Sequence, residues 1–317
     1  MQPPIERTGT HTIGLDLGGT FLKAGILDAS ARILHRTRYP VDASAAEKVF
    51  ETVGTAFKEC TAADPQAGAV GMGIPGILDH MQQQILNSPN LHCLDGQDLS
   101  GLMQRVCSMP FIFDNDANCA ALGEYLVGAG RGLASAASRR PVCFVLLTVG
   151  TGVGGGIVID GKLWHGSRGF AGEPGHIVIE REGKPCKCGG HGCLETLVSA
   201  GAVVSQYAAR GGGAESAAEV ARLAAGGDAR AIEAIHDVGR NLGIGLAAII
   251  NLLNPDMIAV GGGVMGAGEL LLGPAREEAM RRAFKESFLA AQIVPATLGN
   301  DAGIVGAGMM ARERLAS

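Results

Sequence analysis

One histidine and three cysteines lie within eighteen residues of each other, a spacing that suits metal binding. Three thiolates and one imidazole form a complete tetrahedral set for Zn²⁺, which leaves no coordination position for a reactive water. The glycines at 189, 190 and 192 would let the chain wrap an ion. Buried free thiols beside an unrelated histidine are the alternative, but the density of ligands favours a metal. The sequence therefore predicts a structural zinc site formed by His176, Cys186, Cys188 and Cys193.

Two glutamates bracket this segment. Glu173 lies three residues before His176, and Glu195 lies two residues after Cys193. A metal would hold both carboxylates firmly, and carboxylates of this kind accept hydrogen bonds from sugar hydroxyls. Glu195 could equally be a helix N-terminal residue favoured by the helix dipole, and both interpretations stay open.

Two glycine-rich turns each follow an apolar strand. The first reads Asp16-Leu17-Gly18-Gly19-Thr20, and the second is the run Gly150–Gly156. Backbone N–H groups in such turns can bind phosphate, and Asp16 could hold a hydrated Mg²⁺. No Gly-Lys-Ser/Thr follows, so neither turn is a Walker loop. A plain hairpin turn and a set of β-bulges are the structural alternatives.

A third polar segment, 114–118, reads Asp-Asn-Asp-Ala-Asn where a short strand runs into a helix. Phosphoryl transfer needs one carboxylate to accept the proton of the attacking hydroxyl, and positioning and charge neutralisation supply most of the rest. Asp and Asn are also common helix N-caps. Asn115 or Asn118 could cap the helix and leave Asp116 for catalysis.

The elements that position these residues form a duplicated pattern. Residues 13–28 and 145–160 each read as strand, Gly/Thr turn and strand ending in Asp. A third strand follows each copy, which predicts two antiparallel meanders and two similar lobes. The other predicted elements are strands 70–74, 111–114 and 257–260, and helices 43–60, 117–127, 216–253 with a break at 226–227, 269–287 with an interruption or true start at 273–274, and 302–316.

Composition excludes several classes of protein. The 317 residues are 47% hydrophobic, and 26 basic against 31 acidic residues give a net charge of −5, unlike a nucleic-acid binder. There is neither a membrane-length apolar run nor an apolar signal-peptide core, so we expect a cytoplasmic protein. Eight cysteines in such a protein argue against a disulfide framework.

Taken together, these residues resemble the ROK family of repressors, uncharacterised reading frames and sugar kinases. The most specific match is Gly-Glu-Pro-Gly-His at 172–176 with Cys-Lys-Cys-Gly-Gly-His-Gly-Cys-Leu-Glu at 186–195. The turns at 16–20 and 150–156 look like the family's two phosphate motifs, and Gly261–Gly263 looks like its adenosine-binding turn. The resemblance implies an α/β, actin-like (ribonuclease H-like) kinase fold with two lobes.

The duplicated pattern also predicts a division of the chain. A small N-terminal α/β lobe would span 1–127 and be joined by the C-terminal helix 302–317. A large α/β lobe would span 128–301 and carry the zinc-binding loop 173–195, with the lobe boundary in the loop-like stretch 128–141.

Site roles also follow from the resemblance, with Asp116 in the place of the family's catalytic aspartate. His176 could bind sugar with one ring nitrogen and zinc with the other. Segments 73–76 and 87–91 look most like the family's glucokinase branch. Pro174 and Asp114 depart from the usual apolar residue and Glu, which leaves the shape of the sugar site in question. The implied sugar-binding residues are Gly76, Asn90, Asn115, Asp116, Glu173, His176 and Glu195, and the implied nucleotide-binding residues are Asp16, Gly18, Gly19, Thr20, Lys23, Thr151, Gly152, Gly154, Gly262 and Gly263.

The expected activity is ATP- and Mg²⁺-dependent phosphorylation of a hexose, glucose above others, with structural Zn²⁺ and a homodimeric assembly. N-acetylmannosamine, N-acetylglucosamine, fructose and allose are alternative acceptors, and polyphosphate is an alternative donor. A sugar-responsive repressor is the rival class. Only about a dozen residues precede the first strand, which is too few for a helix-turn-helix domain, so no nucleic-acid or membrane partner is expected.

Overall fold

The computed structural model describes residues 10–79, 84–134 and 141–316. The N-terminal residues considered for a signal peptide, residues 135–140 of the expected lobe boundary and Ser317 lie outside the described residues. Twelve strands and eleven α-helices occur in the described part. The strands are β1 (His11–Leu17), β2 (Phe21–Leu27), β3 (Ile33–Pro40), β4 (Ala67–Ile74), β5 (Ile77–Asp79), β6 (Gln84–Asn87), β7 (Phe111–Asn115), β8 (Cys143–Val149), β9 (Val153–Ile159), β10 (Lys162–Leu163), β11 (Met257–Gly261) and β12 (Gln292–Pro295). The helices are α1 (Ala46–Ala63), α2 (Leu99–Val106), α3 (Asp116–Leu126), α4 (Arg131–Ala134), α5 (Leu194–Leu197), α6 (Ala200–Ala208), α7 (Ala217–Ala225), α8 (Ala229–Leu253), α9 (Glu269–Arg282), α10 (Lys285–Ala290) and α11 (Ala302–Ala316).

Backbone contacts divide the chain into two compact units. The first contains the described residues of Met1–Val127, Leu163–Ala171 and Asn300–Ser317, and the second contains those of Gly128–Lys162 and Gly172–Gly299. The segment Leu163–Ala171, which the sequence analysis assigned to the large lobe, therefore packs with the first unit.

The two units carry five-stranded sheets of the same topology. The orders are β3-β2-β1-β4-β7 and β10-β9-β8-β11-β12. In each sheet, the unit's first two strands pair antiparallel: β1 with β2, and β8 with β9. Two later strands then add in parallel, β4 and β7 in the first sheet and β11 and β12 in the second. The predicted duplication is confirmed, and it places corresponding turns at corresponding strand ends.

Helix α11 approaches the first sheet so closely that backbone touches backbone. A Cβ atom on Gly14 of β1 would lie 2.0 Å from the Ile304 carbonyl oxygen. A Cβ atom on Gly306 would lie 1.6 Å from the Cys119 carbonyl oxygen of α3. Glycine is therefore required sterically at these positions, and α11 clamps β1 and α3 together.

The second unit has a core built around the long helix α8. Val238, Leu242 and Leu246 recur at helical spacing and are fully buried. Glycines again allow close packing, because a Cβ on Gly239 would lie 2.5 Å from the Leu271 carbonyl oxygen of α9.

Helix α9 continues through Pro274, although an interruption or a start was expected there. Its buried residues Leu271, Leu272, Ala275 and Ala279 lie on both sides of the proline. Packing against α8 therefore stabilises a helix that the proline alone would disfavour by about 3 kcal/mol.

The helix prediction for 302–316 is confirmed, and the break at 226–227 separates α7 from α8 as expected. Among the described residues, no helix combines the length and the apolarity needed to cross a membrane.

Candidate active site

In the first unit, Asp16 lies at the end of β1 directly opposite Lys23 of β2. The Lys23 Nζ donates to Asp16 Oδ2 over 3.0 Å, and 18% of the aspartate side chain is exposed. The Gly18 N–H closes the turn by donating to the Phe21 carbonyl over 2.9 Å. A hard carboxylate oxygen beside an ammonium group suits a hydrated Mg²⁺ and phosphate oxygens.

The next predicted residues adjoin this turn. A Cβ atom on Gly19 would lie 2.8 Å from the Asn90 Cβ, so the predicted nucleotide turn touches a predicted sugar-binding residue. Gly76 has φ +119°, and a Cβ there would lie 2.4 Å from the Asn87 carbonyl oxygen. This position requires glycine on both conformational and steric grounds.

The junction between β7 and α3 settles which asparagine caps the helix. Asn115 Oδ1 accepts from the N–H groups of Ala117 (2.9 Å) and Asn118 (3.1 Å). The Asn115 Nδ2 donates to the Gly76 carbonyl over 3.0 Å. Asn115 is thus the N-cap, and it ties α3 to the Gly76 turn.

Asp116 is the first residue of α3 and is half-buried. Its Oδ1 accepts from the Ala117 N–H over 2.9 Å. The positive end of the helix dipole stabilises a carboxylate at this position. The Asp116 carboxylate is therefore held at the start of α3 and, when ionised, can accept a proton.

Behind this junction lies a pair that the sequence analysis did not foresee as functional. Asp114 is buried, and its Oδ2 lies 2.7 Å from His165 Nε2. No sequence signal pointed to His165, since its contact depends on where the segment Leu163–Ala171 packs.

In the second unit, Glu195 contacts the second glycine turn. Its Oε2 accepts from the Val153 N–H over 2.9 Å, and a Cβ on Gly152 would lie 2.3 Å from the same oxygen. Glu195 also lies in the first turn of α5, as the alternative interpretation held. The carboxylate nonetheless binds the backbone of the predicted phosphate turn.

None of the five glycines within Gly150–Gly156 has a positive φ, so conformational freedom does not explain the run. A Cβ on Gly155 would lie 2.5 Å from Pro174 Cγ. A Cβ on Gly175 would lie 2.0 Å from the Val153 carbonyl oxygen. Packing contacts thus account for glycine at 152 and 155 without any phosphate contact.

The remaining predicted sugar ligands of the second unit are neighbours. Glu173 Oε2 lies 4.0 Å from His176 Nε2, and 40% of the glutamate side chain is exposed. Partial desolvation raises the pKa of Glu173 above its usual range; nearby His176 opposes the shift, and the Glu195 carboxylate adds to it. Glu173, His176 and Glu195 therefore form one polar group beside the glycine turn.

The four predicted metal ligands come together. Their ligand atoms all lie within 4.8 Å of one another. Cys186 Sγ is 3.6 Å from His176 Nδ1, and Cys188 Sγ is 3.7 Å from Cys193 Sγ. Tetrahedral Zn²⁺ with bonds of about 2.3 Å places two sulfurs about 3.8 Å apart, so the donor set fits zinc in type and spacing. His176 presents Nδ1 to the thiols and Nε2 to Glu173.

The predicted adenosine-binding turn follows β11. Gly262 has φ +90°, and a Cβ there would lie 2.3 Å from the Val149 carbonyl oxygen, so glycine is required. A Cβ on Gly263 would meet no atom within 4 Å. Of the other predicted residues, Thr20 and Thr151 are exposed in the two turns, and Gly154 is the second residue of β9, paired with Thr148 of β8.

Comparison with known proteins identifies this arrangement. The ROK family profile matches residues 12–314. The chain belongs to the ROK family. Among its relatives, the glucokinase of Halalkalibacterium halodurans is 33% identical over 323 residues, with 95% of each chain covered.

Solved ROK structures share the fold of this ROK protein. A ROK hexokinase from Thermus thermophilus has a TM-score of 0.81 at 31% identity, covering 96% of this chain and 99% of that one. A ROK glucokinase from Streptomyces griseus, in complex with glucose and AMPPNP, has a TM-score of 0.80 at 33% identity over the same shares. The expected family and the actin-like two-lobed kinase fold are confirmed.

Proposed function

We propose that this ROK protein is a sugar kinase that transfers the γ-phosphoryl group of ATP to the C6 hydroxyl of glucose, giving glucose 6-phosphate and ADP. The observation that carries the proposal is the Asp116 carboxylate, held at the start of α3 by the Asn115 cap and the Ala117 N–H. Relatives named glucokinase, such as the 33% identical Halalkalibacterium protein, support glucose as the acceptor.

In the proposed reaction Asp116 accepts the proton of the attacking hydroxyl. The sugar oxygen forms a bond to the γ-phosphorus, and the bond between that phosphorus and the β–γ bridging oxygen breaks, so ADP leaves with the electron pair. The protein itself forms no covalent bond to the substrates in this reaction, because positioning and charge neutralisation supply most of the rate acceleration.

Each unit by itself carries polar groups suited to sugar hydroxyls. In the first unit, the Asn90 and Asn115 side chains and the Gly76 turn would contact sugar hydroxyls. In the second unit, Glu173, Glu195 and His176 Nε2 would do so, since their polar atoms cluster beside the glycine turn.

The nucleotide phosphates are expected at the glycine turns. Lys23 would neutralise phosphate charge, and Asp16 would hold Mg²⁺, which when bound with ATP offsets negative charge on the phosphates. The backbone at Thr151, Gly152 and Gly154 would face the phosphates, with Gly262 and Gly263 at the adenosine.

We expect Zn²⁺ at His176 and the three cysteines to be structural, because four protein ligands leave no open position. Its role would be to fix the segment that carries Glu173 and Glu195. A homodimer in the cytoplasm is expected from the family resemblance.

A sugar-panel assay of ADP release tests the function, with glucose expected to give the highest kcat/KM. Asp116→Asn should lower kcat by about 10²–10⁴-fold, the usual contribution of a positioned base, while calorimetry still detects glucose binding. Asp98→Asn is the matched control, because Asp98 caps α2 and asparagine caps equally well.

Turnover of Asp116→Asn close to that of the wild type would refute the base assignment. Glucose binding by the wild type without ADP release would refute the kinase assignment and favour a sugar-sensing protein. Preference for another hexose, or for polyphosphate over ATP, would replace glucose or ATP in the proposal.

A further inference from the structure

The buried Asp114 carboxylate organises the segment that carries Asp116. Its Oδ1 accepts from the Asn115 N–H over 2.7 Å and from Asn118 Nδ2 over 2.9 Å. Its exposed fraction is 3%. A carboxylate removed from water to this extent is costly unless it is paired with a positive charge and hydrogen-bonded.

His165 supplies a partner for the other oxygen of this carboxylate. The His165 Nε2 lies 2.7 Å from Asp114 Oδ2, and 29% of the His165 side chain is exposed. The distance is that of a charge-assisted hydrogen bond between an imidazolium and a carboxylate. His165 belongs to the segment Leu163–Ala171, which packs with the first unit.

We propose that His165 is a positioning residue, whose imidazolium binds and orients the Asp114 side chain, so that Asp114 fixes Asn115 and Asn118 and thereby aims Asp116 at its substrate. The proposal rests on the proposed kinase function. It adds a residue that would act through Asp114 and not by its own contact with substrate.

The charge on His165 depends on the groups around it. Asp114 on β7 faces the ring, Asp116 is the next carboxylate along the chain, and Arg168 of His165's own segment is exposed. The hydrogen bond to Asp114 raises the pKa of His165 above its usual value, burial opposes this, and the charge of Asp114 adds to it. The imidazolium therefore persists to a higher pH than that of an ordinary histidine and is lost as the pH rises through the raised pKa.

Two substitutions separate charge from packing. His165→Gln keeps a donor but removes the charge, and His165→Arg keeps a permanent charge. His11→Gln is the matched control, because His11 forms a similar 2.6 Å pair with Asp64 at the start of β1, the end opposite Asp16. Steady-state kinetics from pH 6 to 9 and glucose calorimetry are measured on each full-length variant.

We expect His165→Gln to lower kcat about tenfold to a hundredfold, the equivalent of one charge-assisted hydrogen bond, with glucose affinity changed by less than about threefold. His165→Arg should retain most of the wild-type kcat. It should also lack the loss of kcat that the wild type shows as His165 deprotonates on the alkaline side. His11→Gln should match the wild type.

A wild-type kcat for His165→Gln across the pH range would overturn the proposal. An equal loss in the glutamine and arginine variants would also overturn it, because packing and not charge would then be the cause. If His165→Gln fails to fold, Asp114→Asn decides: kcat should fall about tenfold to a hundredfold with little change in glucose affinity, and a wild-type kcat for folded Asp114→Asn would overturn the proposal.

These outcomes differ from failure of the kinase assignment itself. In that case the wild type would release no ADP with any sugar, whereas failure of the present proposal leaves wild-type turnover intact and insensitive to the charge at position 165.

Discussion

The two units share one sheet topology but bring different chemistry to corresponding turns. The sixth residue of the first strand is Asp16 in β1 and Thr148 in β8, and their direct cross-strand partners are Lys23 and Gly154. The first turn is thus flanked by an ion pair of side chains. The second is flanked by uncharged residues and is contacted by Glu195 from a later segment.

This difference shows how a duplicated frame can be specialised. In the first unit, the predicted residues Asp16 and Asp116 lie at or directly after strand ends, where the sheet fixes them. In the second, the predicted sugar ligands lie in segment 173–195, which has little regular structure and which a bound metal would hold. The first unit would thus depend on backbone packing for its precision, and the second on the proposed metal cross-link.

The largest effect should come from breaking the backbone packing of the first unit. Gly306→Ala places a Cβ 1.6 Å from the Cys119 carbonyl oxygen. Relieving this clash would require α11 and α3 to move apart. We expect the free energy of unfolding, measured with denaturant, to fall by about 3 kcal/mol or more. A loss below about 1 kcal/mol would contradict the proposed clamp.

Breaking the cross-link of the second unit should cost activity more than global stability. Cys188→Ser removes one of four ligands, so elemental analysis should find about one zinc per wild-type chain and almost none in the variant. Glucose affinity should fall at least about tenfold through loss of order in the segment that carries Glu173 and Glu195. Cys143→Ser, in β8 of the same unit, is the control. Wild-type protein without zinc would contradict the structural-zinc prediction.

A milder change tests the contact between Glu195 and the second turn. Glu195→Gln keeps an oxygen to accept from Val153 N–H but removes the charge, so the KM for glucose should rise about tenfold with a smaller change in stability. Glu182→Gln, whose side chain is 86% exposed, should leave the KM unchanged. An unchanged KM in Glu195→Gln would remove this residue from the sugar ligands.

The smallest effect should have the opposite sign to the first. Gly273 lies in helix α9, and a Cβ there would meet no atom within 4 Å. Gly273→Ala should raise the free energy of unfolding by about 0.5–1 kcal/mol, because alanine loses less backbone entropy in a helix. A destabilisation would mean that glycine at this position, too, is set by close packing.

The sequence alone was sufficient where local pattern decides the structure. Apolar runs predicted the duplicated meanders, and the four candidate metal ligands were predicted to lie together because they are near neighbours in the chain. Helix α2 escaped prediction because its eight residues carry too short an apolar pattern.

Contacts between distant segments were not predictable from pattern. The bond from Val153 to Glu195 spans 42 residues and that between His165 and Asp114 spans 51, so neither leaves a periodic trace. The positions that require glycine for packing were equally unpredictable from the sequence pattern. The atoms that exclude a side chain at Gly14 and Gly155 belong to Ile304 and Pro174, which are remote in sequence.

The packing of α11 on β1 also sets an order of assembly on the ribosome. Residues 302–316 are synthesised after the second unit, yet they pack on β1, which is synthesised before it. The second unit can therefore fold before α11 has been synthesised. Until then, β1 and β4 of the first unit remain uncovered on the face that α11 packs against. Nascent chains stalled before residue 302 should therefore contain a protease-resistant second half and a susceptible first half.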